Sequence, residues 1–209
     1  MEVPVEPSKG KTSVGVDLGL KTTATCSHGN TLANNRFYRG LEQKLAKAQR
    51  ARKKRLVKTI HAKIKNRRKD AIHKFTDRLT KEHGCVIVGN ASSSKLAKTN
   101  MAKSVLDAGW FMLKEQLKYK AIARSVVFEE VDEKYTTQTC SCCLKISDDS
   151  PKGRAGLEIR EWTCSECGTT HDRDINAAKN ILRLGRQSLA GGIPSLKEGE
   201  DVKESSILI

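Results

Sequence analysis

Two pairs of cysteines and a short run of aspartates are the parts of this 209-residue chain with the means to do chemistry. Cys140 and Cys143 form one C-x-x-C, Cys164 and Cys167 form another, and twenty residues separate the pairs. Each two-residue spacer makes a tight knuckle that aims both sulfurs at one ion, so the four thiolates can close a tetrahedral zinc site. Four sulfurs leave no position open for substrate, and such a zinc is structural. Cys142 offers a second pairing, but Cys140 with Cys143 repeats the spacing of the other knuckle. Cys26 and Cys85 read as small buried apolar residues. Seven cysteines, an odd number, with four in such pairs point to metal ligation in a reducing compartment rather than to a disulfide framework.

The second constellation is acidic. Five residues after Cys167 come Asp172-Arg173-Asp174, at the start of a helical stretch. Hydrolysis of a phosphodiester by two divalent ions needs several carboxylates, converging so that ions about 4 Å apart bind the attacking and leaving oxygens. Asp17 on a first strand, a carboxylate on a neighbouring strand end and Asp174 at a helix start can meet in that way. Taken singly, each is as readily a turn residue, and Asp174 could instead cap a helix beginning at Ile175.

The elements that must position these groups are legible in outline. Residues 1–11 read as a polar leader or linker remnant. Ser13 to Gly19 reads as a strand, Thr22 to Ser27 and Thr31 to Phe37 as its hairpin-linked neighbours. From about Gly40 to Glu82 apolar residues recur at helical spacing, Leu45, Ile60, Ile64, Ile72, Phe75 and Leu79 among them. Cys85 to Val88 is a continuously apolar run, as a buried parallel strand requires. Ser92 to Lys95 reads as a polar loop. A second helix spans about Lys98 to Ala123, with Met101, Val105, Leu106, Trp110, Leu113, Leu117 and Ile122 inward. Ser125 to Val131 is a fifth strand, residues 135–171 are the zinc ribbon, and 172–185 hold the last helix. Residues 186–209 read as a poorly ordered tail. This order predicts an α/β, RNase H-like domain (12–134 and 172–185), a five-stranded mixed sheet with helices on its faces and a ribbon inserted.

Charge names the partner. Lys and Arg total 39 against 24 Asp and Glu, a net +15. Basic side chains that neutralise phosphates release condensed counterions, so a polyanion is the expected partner. Between Arg39 and Lys74 there are fifteen Lys and Arg and only Glu42 and Asp70 as acids. The densest part holds Arg50, Arg52, Lys53, Lys54 and Arg55, without interleaved aromatics, which points to backbone contact rather than base reading. No apolar run is long enough for a signal peptide or a membrane span, which places the chain in the cytoplasm.

Three segments carry a resemblance. Gly15-Val16-Asp17-Leu18-Gly19-Leu20-Lys21, Tyr135-Thr136-Thr137-Gln138-Thr139-Cys140 and His171-Asp172-Arg173-Asp174-Ile175-Asn176-Ala177-Ala178 resemble three motifs of the TnpB (OrfB) proteins of bacterial insertion sequences, relatives of type V CRISPR effectors. The resemblance implies a RuvC-like nuclease that cuts DNA under a guide RNA, with Asp17 as first and Asp174 as last metal-binding acid. It also exposes two departures. The family's middle acid is a Glu at the end of the fourth strand, where this chain has Gly89. Glu130, near the end of the fifth strand, is the expected substitute. The segment that precedes the first RuvC strand in the family is short here. The chain is therefore expected to be a C-terminal nuclease half, a fragment or one product of a split frame, with a separate N-terminal half as partner.

The expectation is thus a transposition-associated DNA endonuclease domain, with Asp17, Glu130 and Asp174 holding two Mg2+ ions and with a structural Zn2+ on the four cysteines. Two alternatives stand beside it: a nucleic-acid-binding protein of the same fold without cleavage, and a zinc-ribbon adaptor in a transposition complex.

Overall fold

The structure, a computed structural model, describes residues 10–91, 98, 101–153, 156 and 158–190. Most of the expected leader, the loop at Ser92 to Lys95 and the tail from residue 191 lie outside them. The strands are β1 (Ser13–Leu18), β2 (Thr22–Cys26), β3 (Thr31–Ala33), β4 (Cys85–Gly89) and β5 (Val127–Val131). They form one sheet in the order β3-β2-β1-β4-β5, with β1 antiparallel to β2 and parallel to β4, and β4 parallel to β5. This is the mixed sheet the element order predicts. Among the described residues five α-helices follow: α1 (Glu42–Arg50), α2 (Lys54–Glu82), α3 (Ala102–Ala108), α4 (Trp110–Ala123) and α5 (Arg173–Ala190). Among the described residues no helix is long and apolar enough to cross a membrane.

Register sorts the sheet into two faces, because successive strand residues point opposite ways. Val14 pairs with Val86 and Val16 with Val88. These four belong to the larger core, with Ile72, Phe75 and Leu79 of α2 and Leu113 and Leu117 of α4. On the other face Ile87 and Val131 pack against Ile181 of α5. Strand β4 is buried on both sides, which explains its unbroken apolar run. Helix α5 lies hard against β1: a Cβ on Gly15 would sit 2.1 Å from the carbonyl oxygen of Ala178.

The helices differ from the sequence expectation in instructive places. The first helical segment is broken between Arg50 and Lys54, with Arg52 in the left-handed region at φ 52°. The break lets α1 fold back on the first half of α2, and Leu45, Ala48, Ile60 and Ile64 make a small core of their own. The second segment breaks at Gly109, φ 71°. That rotation turns Leu106 and Ile122 outward, together with Met101, whereas Val105, Trp110, Leu113 and Leu117 are buried as expected. Strands β3 and β5 are shorter than expected. Helix α5 continues past residue 185 to Ala190 because Gly185 is a packing residue, where a Cβ would meet Ile87 Cδ1 at 2.5 Å.

Candidate functional site

The four cysteines converge. Their sulfurs all lie within 4.8 Å of one another, with Cys140 and Cys167 3.6 Å apart and Cys143 and Cys164 3.7 Å apart. Those separations suit a tetrahedral zinc with bonds of about 2.3 Å. The backbone N–H of Cys142 donates to Cys140 Sγ at 3.4 Å while its own side chain is exposed, so Cys142 supports the first knuckle and is not one of the group. The donor set and its spacing fit structural zinc. Two short strands carry the second knuckle's flanks, β6 (Glu161–Thr163) and β7 (Thr170–Asp172), paired antiparallel with Trp162 opposite His171.

The ribbon is fastened to α5 by two asparagines one turn apart. Asn176 Oδ1 accepts the N–H of Ser141 at 2.8 Å, and its Nδ2 donates to the carbonyl of Thr139 at 2.8 Å. Asn180 Nδ2 donates to the carbonyls of Thr136 and Thr139 at 2.9 and 2.7 Å. Both side chains are buried. Both amides donate across this contact and Asn176 also accepts, and losing such a buried hydrogen bond costs about 1–3 kcal/mol; Asn180 Oδ1 is buried without a partner among the described residues. The Thr136 to Cys140 and Asn176 to Asn180 segments are therefore two halves of one joint.

The acids meet where β1 and β4 end and α5 begins. Asp17 shares the parity of Gly15 and so faces α5. Asp17 is half-buried, and protein packs densely around its carboxyl. That burial, reinforced by the carboxylates of Asp174, Glu133 and Asp172 and opposed by Arg173, pushes its carboxyl up to about 8. Asp174 sits in the first turn of α5, where Arg160 Nη1 donates to one oxygen at 2.6 Å. Arg173 Nε and Nη2 donate to the other at 3.1 and 3.0 Å. Asp174 is not the helix cap: Asp172 Oδ1 accepts the N–H of Ile175 at 2.8 Å.

Glu130 does not join them. It pairs with Val88, on the face opposite Asp17, and its carboxylate accepts from Lys114 Nζ at 2.8 Å and Lys118 Nζ at 3.1 Å on α4. Burial alone would raise its pKa, but the hydrogen bonds and charges of the two lysines hold it below the ordinary value. Glu129 has the right parity but pairs with Ile87, level with Gly15, about 7 Å short of Asp17 along the strands.

Glu133 is the acid that reaches the cluster. A Cβ added to Gly89 would lie 2.6 Å from Glu133 Oε2, so the Glu133 carboxylate fills the volume that a side chain at position 89 would take. Burial first, then Asp132, raise its pKa against the pull of Lys114 and a backbone bond at Ala91. Its Oε2 is buried and has no hydrogen-bond partner. Two carboxyls pushed upward and one carboxylate oxygen without a protein partner make a donor set that fits a divalent cation, of the hard oxygens that Mg2+ prefers. Among the described residues only the cysteines bring three or more ligand atoms within 4.8 Å, so the carboxylates stand wider apart than a single tetrahedral shell. The sequence signal for Glu133 was parity: it continues the alternation of Glu129 and Val131 one step past the strand.

The basic residues gather at the turn of the α1–α2 hairpin. Arg50, Arg52, Lys53, Lys54 and Arg55 are all exposed there, and none has an acidic partner among the described residues.

Comparison with known proteins finds relatives along nearly the whole chain. Residues 1–104 match the sequence model of a family described as probable transposase, OrfB_IS605, and residues 110–181 match that of the Cas12f1-like TNB domain. A Streptomyces pristinaespiralis protein is 33% identical over 223 residues, covering 99% of this chain and 54% of that protein. One from Escherichia coli K12, InsQ, is 28% identical over 232 residues, covering 98% and 56%. Both carry the name "Putative RNA-guided DNA endonuclease". An Acanthamoeba polyphaga mimivirus protein named TnpB-like protein L79 is 29% identical over 144 residues, 64% of this chain and 26% of its own. Among solved structures, a Cas12f1-sgRNA-target DNA complex superposes with a TM-score of 0.61 at 19% identity, over 81% of this chain and 49% of that one, which shows a shared fold. The chain spans about half the length of the Streptomyces and Escherichia relatives. With both sequence models matched in order and the three motifs joined in one structure, the chain belongs to the TnpB-type family.

Proposed function

We propose that this chain carries the nuclease centre of an RNA-guided DNA endonuclease, with Asp17, Glu133 and Asp174 as the ligands of two Mg2+ ions. The observation that supports it most is the meeting of these three acids from separate segments, with Asp17 and Glu133 raised in pKa and Glu133 Oε2 unpartnered. Mg2+ bound there supplies Lewis-acid stabilisation of the phosphoryl oxygens and lowers the pKa of an attacking water. The chain's own residues do the rest. Asp17 gives up its proton as positive charge arrives, Glu133 offers its unpartnered Oε2, and Arg160 and Arg173 hold the Asp174 carboxylate at the start of α5. The basic turn takes phosphates of DNA or guide RNA by charge rather than by base reading. In this reading a separate N-terminal half completes the complex.

A second reading, a nucleic-acid-binding protein of the same fold that does not cleave, has one observation in its favour. Asp174 already receives three hydrogen bonds from two guanidinium groups, and Gly89 brings no acid of its own.

The test is cleavage of labelled DNA by the chain joined to the N-terminal half of the Streptomyces relative with its guide RNA, in Mg2+ or in a chelator. Mg2+-dependent cutting that Asp174→Ala and Glu133→Gln abolish and Glu130→Gln spares supports the nuclease reading. Tight binding of the same DNA without any cutting selects the second reading.

A further inference from the structure

One polar contact beside the cysteines belongs to neither the knuckles nor the acids. His171 Nε2 lies 3.0 Å from Cys140 Sγ, and both residues are buried. The imidazole packs on Trp162, with ring centroids 4.9 Å apart, and the β6–β7 pairing sets the two opposite each other. Cys140 already accepts the N–H of Cys142, and His171 is the ring nitrogen among the hydrogen-bond partners of the four sulfurs.

We propose that His171 is a positioning residue of the ribbon's zinc site, donating Nε2–H to the Cys140 thiolate from outside the metal's own shell. The inference rests on the reading of the four cysteines as a zinc centre. A shell of four thiolates around Zn2+ carries net negative charge, and a buried neutral N–H drawn to one sulfur disperses it. The donor role fixes the tautomer, with the proton on Nε2, and leaves Nδ1 as acceptor. Groups of this kind around a metal change its affinity about 10- to 100-fold when removed.

The placement also joins the two metal regions of the molecule. His171 is followed by Asp172, the cap of α5, and by Asp174. The N–H of Arg173 donates to the carbonyl of Arg160 at 2.7 Å, and the guanidinium of Arg160 holds Asp174. Loading the ribbon thus fixes β7, and β7 fixes the start of the helix that presents Asp174.

The experiment uses the full chain loaded with 113Cd and labelled with 15N. A slowly exchanging Hε2 proton of His171 with a scalar coupling to 113Cd across the hydrogen bond is the expected result. The backbone amides of Arg173, Asp174 and Ile175 should also shift when metal is added. Zinc affinity by chelator competition should fall about 10- to 100-fold in His171→Phe, which keeps the stack on Trp162, and recover in His171→Gln, which keeps an N–H donor. A large one-bond coupling from 113Cd to His171 Nε2 would make it a ligand and overturn the proposal. So would bound metal with no coupling and unchanged affinity in the Phe variant. Absence of any metal binding by wild-type chain would instead remove the zinc reading itself.

Discussion

Replacing Asp17 by Asn should make the zinc-loaded, Mg2+-free chain more stable. In the folded chain burial and neighbouring carboxylates raise the Asp17 pKa from 3.8 to about 8. Between those values the folded state binds more protons than the unfolded one, so stability falls as pH rises through that window. One pH unit is worth about 1.4 kcal/mol, so at pH 7 the cost is at most about 4 kcal/mol, and about 2 kcal/mol once relaxation and water entry soften the burial. Asn is nearly isosteric and carries no charge, and it removes that slope. Urea unfolding of zinc-loaded protein in Mg2+-free buffer at pH 5, 7 and 8.5 reads the difference, which should be small at pH 5 and largest at pH 8.5. Adding Mg2+ at pH 8.5 should stabilise the wild type and leave the variant unchanged, because the cation supplies the positive charge that Asp17 lacks. A variant less stable than wild type at every pH, or one that gains as much from Mg2+, would refute the electrostatic reasoning.

Three further outcomes follow from the same geometry. Removing zinc with a chelator, or replacing Cys164 by Ser, should unfold the ribbon and loosen the joint at Asn176 and Asn180 while the sheet persists; hydrogen exchange should show weaker protection over residues 158–172 and little change in β4. Gly15→Ala should destabilise the chain by about 3 kcal/mol in urea unfolding, since the new methyl meets the backbone of α5 2.1 Å away. Neutralising Arg50, Arg52, Lys53, Lys54 and Arg55 together should weaken binding to any DNA sequence. It should also flatten the salt dependence by about 0.9 in slope for each phosphate these side chains no longer neutralise, as fluorescence anisotropy will read.

What was legible in the sequence was what spacing alone determines. The two knuckles, the apolar β4 and the helical periodicity of α2 needed no partner to be read, and each stands in the structure. What escaped depended on tertiary contact. Gly185 reads as a helix end, because glycine often is one, but here it lets α5 approach Ile87. The break at Arg52 carries no glycine or proline; it is enforced by the packing of Leu45 and Ala48 on Ile60 and Ile64. Glu130 faces away from Asp17 for a reason the sequence did contain. Its place opposite Val88 puts it on the far face, where Lys114 and Lys118 meet it, whereas counting by twos from Glu129 arrives at Glu133. Parity was available; the level along the sheet, set by register, was not.

The central claim is that Glu133 completes a divalent-metal site with Asp17 and Asp174. Titrating the full chain with Mn2+ and counting bound ions by electron paramagnetic resonance tests it most directly, with the cysteines loaded beforehand with zinc. Wild type and Glu130→Gln should bind Mn2+ alike, and Glu133→Gln should lose at least one ion or weaken binding by tenfold or more. Equal binding by wild type and Glu133→Gln, or loss of binding in Glu130→Gln, would contradict the account.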